Sequence, residues 1–385
     1  MSTGNSTPAR LGLYVHWPYC ARICPYCDFN VYKASGGTPD ALTEALLADL
    51  DHWRTRTGPR PLASVHFGGG TPSLMTPAQI EAVLARADAL WGFTPGAEIG
   101  LEANPKEAAS FAGLASAGIN RLSLGVQALD DASLARLGRD HDAAGALRAL
   151  EAAQALFARL SIDLIYAREG QSPEDWAAEL SRVLAMGLGH LSLYQLTIEP
   201  GTAFARQAER GRLTPPGDDD AADMYALTQE LTEAAGLPAY EISNHARTRA
   251  DQSVHNRLYW EGADWIAIGP GGHARVGAHI AGGRLAAEAA RRPADYIARA
   301  ASGAAHETEV LSARDEAVER VLMGMRLVDE GLDLAALKAL TGYEVDAEGL
   351  ALALSRGQVR RDGARLILTP AGRIFADAVA GGLAP

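Results

Sequence analysis

Cysteine is the scarcest informative residue in this chain: three occur among 385 residues, at positions 20, 24 and 27. An odd number confined to one short loop excludes a disulfide framework, the usual support of small secreted domains. Long apolar runs are also missing, and none reaches the length of about 18 residues that a transmembrane helix needs. The opening stretch, MSTGNSTPAR, has one Arg and no apolar segment, so the sequence predicts no secretory signal.

Basic side chains are fewer than acidic ones in this chain. Lys and Arg total 35 against 47 Asp and Glu, which gives a formal net charge of −12. A field of that sign repels nucleic acid and anionic membrane surfaces, so we expect neither as a partner. Hydrophobic residues at 48% and charged residues at 21% are typical of globular proteins. We therefore predict a cytoplasmic protein of two or three domains, with reduced thiols and no transmembrane segment, and leave open a homodimer.

The three cysteines lie in the stretch HWPYCARICPYCDFN, residues 16–30, with the spacing Cys-x3-Cys-x2-Cys. Three thiolates are one too few for a filled [4Fe-4S] cluster or a closed tetrahedral zinc site. A cubane held by three thiolates keeps one iron open for an exogenous ligand. The alternatives are a zinc site completed by a histidine and a set of inert core thiols.

Short apolar strands alternate with capped helices along the first half of the chain. We predict six strands, over residues 12–17, 63–67, 97–102, 120–125, 160–165 and 190–194. Thr38-Pro39 and Thr76-Pro77 predict helix starts, and Ser172 with Asp175 resembles a capping box. This repeat predicts an α/β fold with a parallel sheet, either doubly wound or closed. Polar residues gather after the strands, where barrel enzymes place their sites, and favour an incomplete (β/α)6 barrel.

The C-terminal part has a different pattern. We predict a barrel and connecting segment over residues 1–305 and a second domain over residues 306–385. Its first helix carries a predicted apolar stripe of Val318, Val321, Leu322, Met325 and Val328. Helices followed by a hairpin at 359–368 predict an α+β winged-helix-like domain. Residues 310–385 hold nine Lys and Arg against eleven Asp and Glu, so we interpret it as a packing or protein-contact element and not a DNA-binding one.

Several polar residues follow the predicted strands. A glycine-rich turn at 68–71 lets a ligand approach the backbone. Glu102 could bind hydroxyl groups, and Arg139 could pair with a carboxylate. Asp163 interrupts an apolar strand, which is costly without partners, so we expect it to point into the barrel mouth. Each residue alone could be structural, but their placement on successive strand ends favours a site.

The cysteine loop, with Tyr26 before its last cysteine, resembles that of the radical S-adenosylmethionine (SAM) superfamily. The segments YVHWPYCARICPYCDF, FGGGTPSL, LEANP, LSLGVQ, LGRDHD and IDLIYA resemble the oxygen-independent coproporphyrinogen III oxidase family over nearly the whole chain. This resemblance implies a [4Fe-4S] cluster on Cys20, Cys24 and Cys27 whose open iron binds SAM. It also implies the following SAM contacts: Tyr14, Gly69, Gly70, Thr71, Glu102, Gln127, Arg139 and Asp163.

The sequence departs from the oxidases at three places. Their fourth cysteine, two residues after the third, is Phe29 here. The segments HNRLYW at 255–260 and IGPGGHA at 268–274 resemble a paralogous group, HemW, whose members are heme-binding chaperones. The usual Gly-Leu-Pro after Asp-Leu-Ile-Tyr reads Ala-Arg-Glu at 167–169.

The HemW resemblance implies that the protein binds heme and delivers it to an acceptor hemoprotein. His255 would be an axial ligand, and Tyr259 and Trp260 would stack on the porphyrin. A histidine that only holds a loop by hydrogen bonds is the structural alternative. The alternative functions are oxidative decarboxylation of coproporphyrinogen III, which Phe29 disfavours, and radical SAM chemistry on another substrate.

Overall fold

The computed structural model describes residues 10–34, 40–278 and 283–385. All six predicted strands are present as parallel neighbours in chain order, which confirms the barrel prediction. Their observed bounds are β1 Leu11–Trp17, β2 Leu62–Gly69, β3 Phe93–Ala103, β4 Arg121–Gln127, β5 Arg159–Tyr166 and β6 His190–Gln195.

Helices connect these strands. They span Asp40–Thr57, Pro77–Trp91, Phe111–Ser116, Asp131–Arg136, Ala143–Gln154, Pro173–Leu184, Ala203–Ala208 and Asp218–Ala234. Capping boxes at Thr76 and Ser172 start two of them as predicted. The helix start predicted at 38–39 lies outside the described residues. Within the described part of the chain, no helix combines the length and apolar character needed to cross a membrane.

Strand alternation gives the barrel an apolar outside and a polar inside. In β1, the buried side chains Leu11, Leu13 and Val15 belong to the main hydrophobic core. Tyr14 and His16 alternate with them and therefore face the interior of the barrel. The same alternation places polar residues of the neighbouring strands inside, and it creates a set of interior hydrogen bonds below the strand ends.

Within the described ranges, the large sheet has eleven strands and is wider than predicted. The additional strands are β7 Asn244–Ala246, β8 Asp264–Ile268, β9 His273–Val276, β10 Leu285–Ala289 and β11 His306–Val310. Strand β8 pairs in parallel with β1, and the others join antiparallel. Residues 239–243 make only isolated bridges, and pairing with β6 begins at Asn244.

One further helix, Val254–Trp260, follows β7, in a stretch whose sequence has no clear apolar periodicity. Ser253 caps it by accepting a hydrogen bond from the Asn256 amide. Its side chain Leu258 packs against β1 at Gly12, where a Cβ atom would lie 2.8 Å from a Leu258 methyl carbon. The helix therefore fills the end of the barrel at which β1 begins. We call it the plug helix.

The C-terminal unit has its own hydrophobic core. Its helices span Ala313–Gly324, Leu334–Thr341, Ala347–Ser355, Pro370–Arg373 and Ala376–Leu383. The predicted hairpin is present as β13 Val359–Asp362 and β14 Arg365–Leu368, joined by the short strand β12 Leu332–Asp333. The prediction that Leu322 belongs to the apolar stripe is wrong, because Leu322 is exposed while Ala317 is buried.

Strand His306–Val310 lies in the large sheet, just beyond the predicted domain boundary at 305–306. Helix Pro293–Ala300 connects β10 and β11.

Candidate functional site

A cavity of about 370 Å³ opens at the C-terminal ends of the barrel strands, and all three cysteines line it. The cysteine loop follows β1, and a short parallel ladder between Tyr19–Cys20 and Tyr32–Lys33 closes its base. Within the loop, the Cys27 amide donates to the Cys24 carbonyl at 3.2 Å. The local backbone therefore presents the three thiols to one cavity.

Burial dominates the electrostatics of two thiols. It raises the pKa of Cys27 to about 11, and it raises the pKa of Cys20 despite a hydrogen bond with Thr71. Among the described residues, no three His, Cys, Asp or Glu side chains are grouped closely enough to hold a single ion. Three thiols lining one cavity are the soft ligands that iron–sulfur clusters use in proteins.

The glycine-rich turn leaves the backbone open beside the cysteines. Gly69 has φ +106°, a conformation that side chains rarely allow. At Gly70, a Cβ atom would lie 2.7 Å from the Tyr19 carbonyl oxygen, so close packing of the two loops requires glycine there. Thr71 is fixed by its amide, which donates to the same carbonyl at 2.9 Å. Gly69 and Gly70 thus form a cradle of exposed backbone on the cavity wall.

Carboxylates from two strands complete the floor. Glu102 accepts hydrogen bonds from the Gly69 amide and from His66 Nε2, both at 3.2 Å. Asp163 Oδ1 accepts one from Ser123 Oγ at 2.8 Å, and burial raises the pKa of this carboxyl. Carboxylates of this kind can bind the ribose hydroxyls or the ammonium group of a ligand such as SAM. This donor set therefore fits the predicted cofactor.

Arg139 lies between the cysteine loop and the cavity floor. Its guanidinium donates to Cys24 Sγ at 3.4 Å, to Tyr26 Oη at 3.3 Å and to the Gly125 carbonyl at 3.2 Å. It also donates to Asn104 Oδ1. Arg139 therefore places a positive charge beside the Cys24 sulfur on the cavity wall.

The predicted SAM residues lie together with one exception. Gly69, Gly70, Thr71, Glu102, Gln127, Arg139 and Asp163 line the cavity. Tyr14 lies one layer deeper, where its ring would be 2.8 Å from a Cβ atom at Gly68 and its hydroxyl is 3.2 Å from His16 Nδ1. It therefore supports the floor from below.

The three residues predicted to hold heme do not share one cavity. His255 and Tyr259 face the barrel interior, where their ring centroids are 4.7 Å apart. His255 is buried and does not line the cavity with the cysteines. Trp260 faces the C-terminal unit and carries the Arg326 guanidinium 4.7 Å above its ring. The residues at the two ends of the plug helix, His255 and Trp260, therefore face different parts of the molecule.

The structure adds residues that the sequence reasoning did not select. His66 contacts Glu102 from inside the barrel, and Asn104 binds Arg139. Ile23, Phe29 and Tyr194 form an apolar rim at the mouth, with exposed fractions of 46%, 60% and 43%. Strand alternation could have identified His66, because it lies an even number of residues from Ser64 and Gly68 on the inward face.

Two family models match this chain. The family model of the radical SAM superfamily matches residues 14–183, and that of the HemN C-terminal domain matches residues 311–375. The solved structure of coproporphyrinogen III oxidase (HemN) from Escherichia coli superposes with a TM-score of 0.81, at 23% sequence identity. It covers 98% of this chain and 90% of that chain. That likeness establishes the fold.

Two groups of curated relatives are similar in sequence. The chain is 42% identical to the mitochondrial radical S-adenosyl methionine domain-containing protein 1 of Mus musculus, over 70% of this chain and 62% of that protein. It thus spans less than two thirds of that relative. It is 35% identical to heme chaperone HemW of Mycobacterium tuberculosis, over 96% of this chain and 93% of that protein. The HemW of Escherichia coli is 38% identical, over 69% and 70%. By these matches, the chain belongs to the HemW family of radical SAM proteins.

Proposed function

We propose that this protein is a cytoplasmic heme chaperone that holds a [4Fe-4S] cluster and SAM and passes heme to an acceptor hemoprotein. The names of its bacterial HemW relatives support the cargo. The cavity supports the cofactors, since Cys20, Cys24 and Cys27 would hold the cluster beside the glycine cradle. Thiols that must stay reduced fit a reducing compartment.

Each side chain would have a distinct task. In radical SAM proteins, the bound cluster supplies the electron that cleaves the C–S bond of SAM. Glu102 and Asp163 would accept hydrogen bonds from the cofactor, and Gln127 offers an amide at the same wall. Arg139 would keep its charge against Cys24, whose sulfur it already contacts. These groups orient the cofactor and exclude bulk water from the floor.

The observation that carries the proposal is Phe29. The related oxidases have a fourth cysteine at this place, and here an apolar ring lies 60% exposed on the rim. With Ile23 and Tyr194 it offers an apolar face beside the mouth, which suits a flat apolar macrocycle. The substitution also removes a thiol, which disfavours the alternative function, oxidation of coproporphyrinogen III.

Heme ligation by His255 stays a prediction. In the described arrangement its ring packs between His66 and Tyr259. Direct ligation therefore requires the plug helix to move out of the barrel.

The test is anaerobic reconstitution followed by two parallel assays. We expect about four irons and four sulfides per chain, and we expect Cys24→Ala to lose most of the iron. Heme should bind at about one equivalent and give a protein-specific Soret band. If His255 is the ligand, His255→Ala should shift the band. Phe29→Asp should weaken heme binding if the rim holds it.

The second assay supplies SAM, a reductant and coproporphyrinogen III. We expect no protoporphyrinogen IX over many turnovers. Its steady formation would contradict the chaperone proposal and favour the oxidase, and stoichiometric zinc in place of iron would contradict the cluster.

A further inference from the structure

A column of aromatic rings runs inside the barrel from the plug helix towards the cavity floor. His255 stacks on His66, with ring centroids 4.3 Å apart and planes tilted by 10°. Tyr14 lies alongside, 5.7 Å from His255 and 6.2 Å from His66. Tyr259 and Trp265 extend the column away from the cavity, at 4.3 Å from each other. This column connects the plug helix to the cavity floor.

His66 is the member of the column that contacts the site. Its Nε2 is 3.2 Å from Glu102 Oε1. Because a carboxylate only accepts, Nε2 carries the hydrogen. The other ring nitrogen, Nδ1, is buried without a partner among the described residues. The hydrogen bond that the His66 side chain makes among the described residues therefore fixes an oxygen of Glu102, whose second oxygen is held by the Gly69 amide.

Packing prevents the His66 ring from turning away. Gly100 of the neighbouring strand leaves room for the ring, because a Cβ atom there would lie 2.7 Å from Nδ1. His255 covers one ring face at stacking distance. The orientation of Glu102 thus depends on a residue of the plug helix.

The plug helix is itself anchored to the strand that carries Glu102. Glu98, four residues earlier on β3 and fully buried, accepts hydrogen bonds from the amides of Val254 and His255 at 3.1 and 3.0 Å. Ser253 Oγ donates to the same carboxylate at 3.3 Å. Strand β3 therefore holds the helix at one end and the cavity carboxylate at the other.

We propose that the plug helix is a positioning element for SAM: His255 holds His66, and His66 holds the Glu102 carboxylate in its binding orientation. The inference rests on the proposed function, because it takes Glu102 as a SAM contact. His255 and His66 are positioning residues, since neither lines the cavity. His255, the histidine of the HNRLYW segment, would therefore act on the cavity floor, although its helix lies at the opposite end of the barrel.

The experiment compares SAM affinity at equal iron content. Protein reconstituted anaerobically is titrated with SAM by calorimetry, and the electron paramagnetic resonance spectrum of the reduced cluster is recorded with and without SAM. His255→Ala and His66→Ala should each weaken binding about five- to tenfold, the order expected for one hydrogen bond. They should also reduce the spectral change on adding SAM. The double variant should lose little more than either single one.

Two variants separate positioning from general damage. His255→Phe keeps a flat ring against His66 and should retain most of the affinity. Arg257→Gln alters the opposite face of the same helix, where Arg257 pairs with Glu330 at 2.5 Å, and should leave SAM binding unchanged. If His255→Ala fails to load iron, His66→Asn is compared with wild type in its place.

Unchanged SAM affinity in the histidine variants would overturn the inference and leave the proposed function standing. An equal loss in Arg257→Gln would also overturn it, because the effect would then come from helix stability. A reconstituted wild-type protein that binds no SAM would overturn the proposed function itself.

Discussion

Two non-glycine residues among those described, Gln127 and Ala167, have positive φ angles, of 70° and 55°. Such conformations cost on the order of 1 kcal/mol for residues with a Cβ atom. Ala167 stands where the related oxidases have glycine. The next residue, Arg168, is buried and donates to Glu179 at 2.6 Å and to the Ile165 carbonyl at 2.6 Å. The replaced segment thus forms an internal ion pair at the end of β5.

Ala167→Gly should therefore raise the free energy of unfolding by about 0.5–1 kcal/mol, because glycine adopts this φ without strain. Urea unfolding of the metal-free protein measures the change. Gln127→Gly is the matched comparison: it should relieve similar strain but weaken SAM binding, since Gln127 lines the cavity. Equal or lower stability of Ala167→Gly would contradict the strain argument.

Glu107 makes stability depend on pH. Burial, and then the nearby Asp140, raise the pKa of its carboxyl from 4.5 to about 7. The folded state holds this proton more tightly than the unfolded chain, so its contribution to stability is lost as pH rises from about 4.5 to about 7.

Glu107→Gln removes this titration. The free energy of unfolding of the variant, relative to wild type, should rise from pH 5 to pH 7 and then level off. Urea unfolding at pH 5, 6, 7 and 8 gives the curve. A difference independent of pH would show that Glu107 keeps an ordinary pKa.

At the scale of elements, the plug helix depends on Glu98. This carboxylate pairs with Arg159 at 2.6 Å and lies 3.6 Å from Arg121, in addition to capping the helix. Removing one partner of a buried ionic group typically costs about 3–5 kcal/mol. The helix has seven residues, too few to be stable without such an anchor.

Glu98→Ala should therefore lower the free energy of unfolding by about 3 kcal/mol and speed hydrogen exchange most at the amides of residues 254–260. Glu98→Asp, which keeps the charge on a shorter side chain, is the control and should lose less. Uniformly faster exchange across the chain would contradict a local anchoring role.

The elements differ in how far the sequence could predict them. Strands β1 to β6 were predicted because each is an apolar run followed by a turn and a capped helix. The plug helix and strand Asp264–Ile268 were not, because the helix is short and mixes inward and outward positions. The cysteines and Glu102 follow strand ends, so order along the chain placed them together. Strand alternation places His66 and Tyr14 on the inward face, but their position beside each other depends on the register between β1 and β2.

For the whole molecule, charged side chains connect two separate cores. Arg275 holds Glu319 at 2.7 Å, and Glu241, which is fully buried, lies 3.3 Å from Arg326. The residues of the C-terminal core, such as Val321 and Leu366, belong to a separate cluster from those of the barrel. Ion pairs with defined geometry fix orientation more than they add stability. The C-terminal unit is therefore held in a specific pose against the barrel.

The plug helix also restricts the route by which ligands reach the cavity floor. It fills one end of the barrel, so within the described residues the carboxylates on the floor are approached through the mouth that Phe29 borders. If SAM binds on the floor and heme on the rim, as proposed, SAM must enter before heme covers the rim and can leave only after heme has gone. The two ligands would then bind in a fixed order and dissociate in the reverse order.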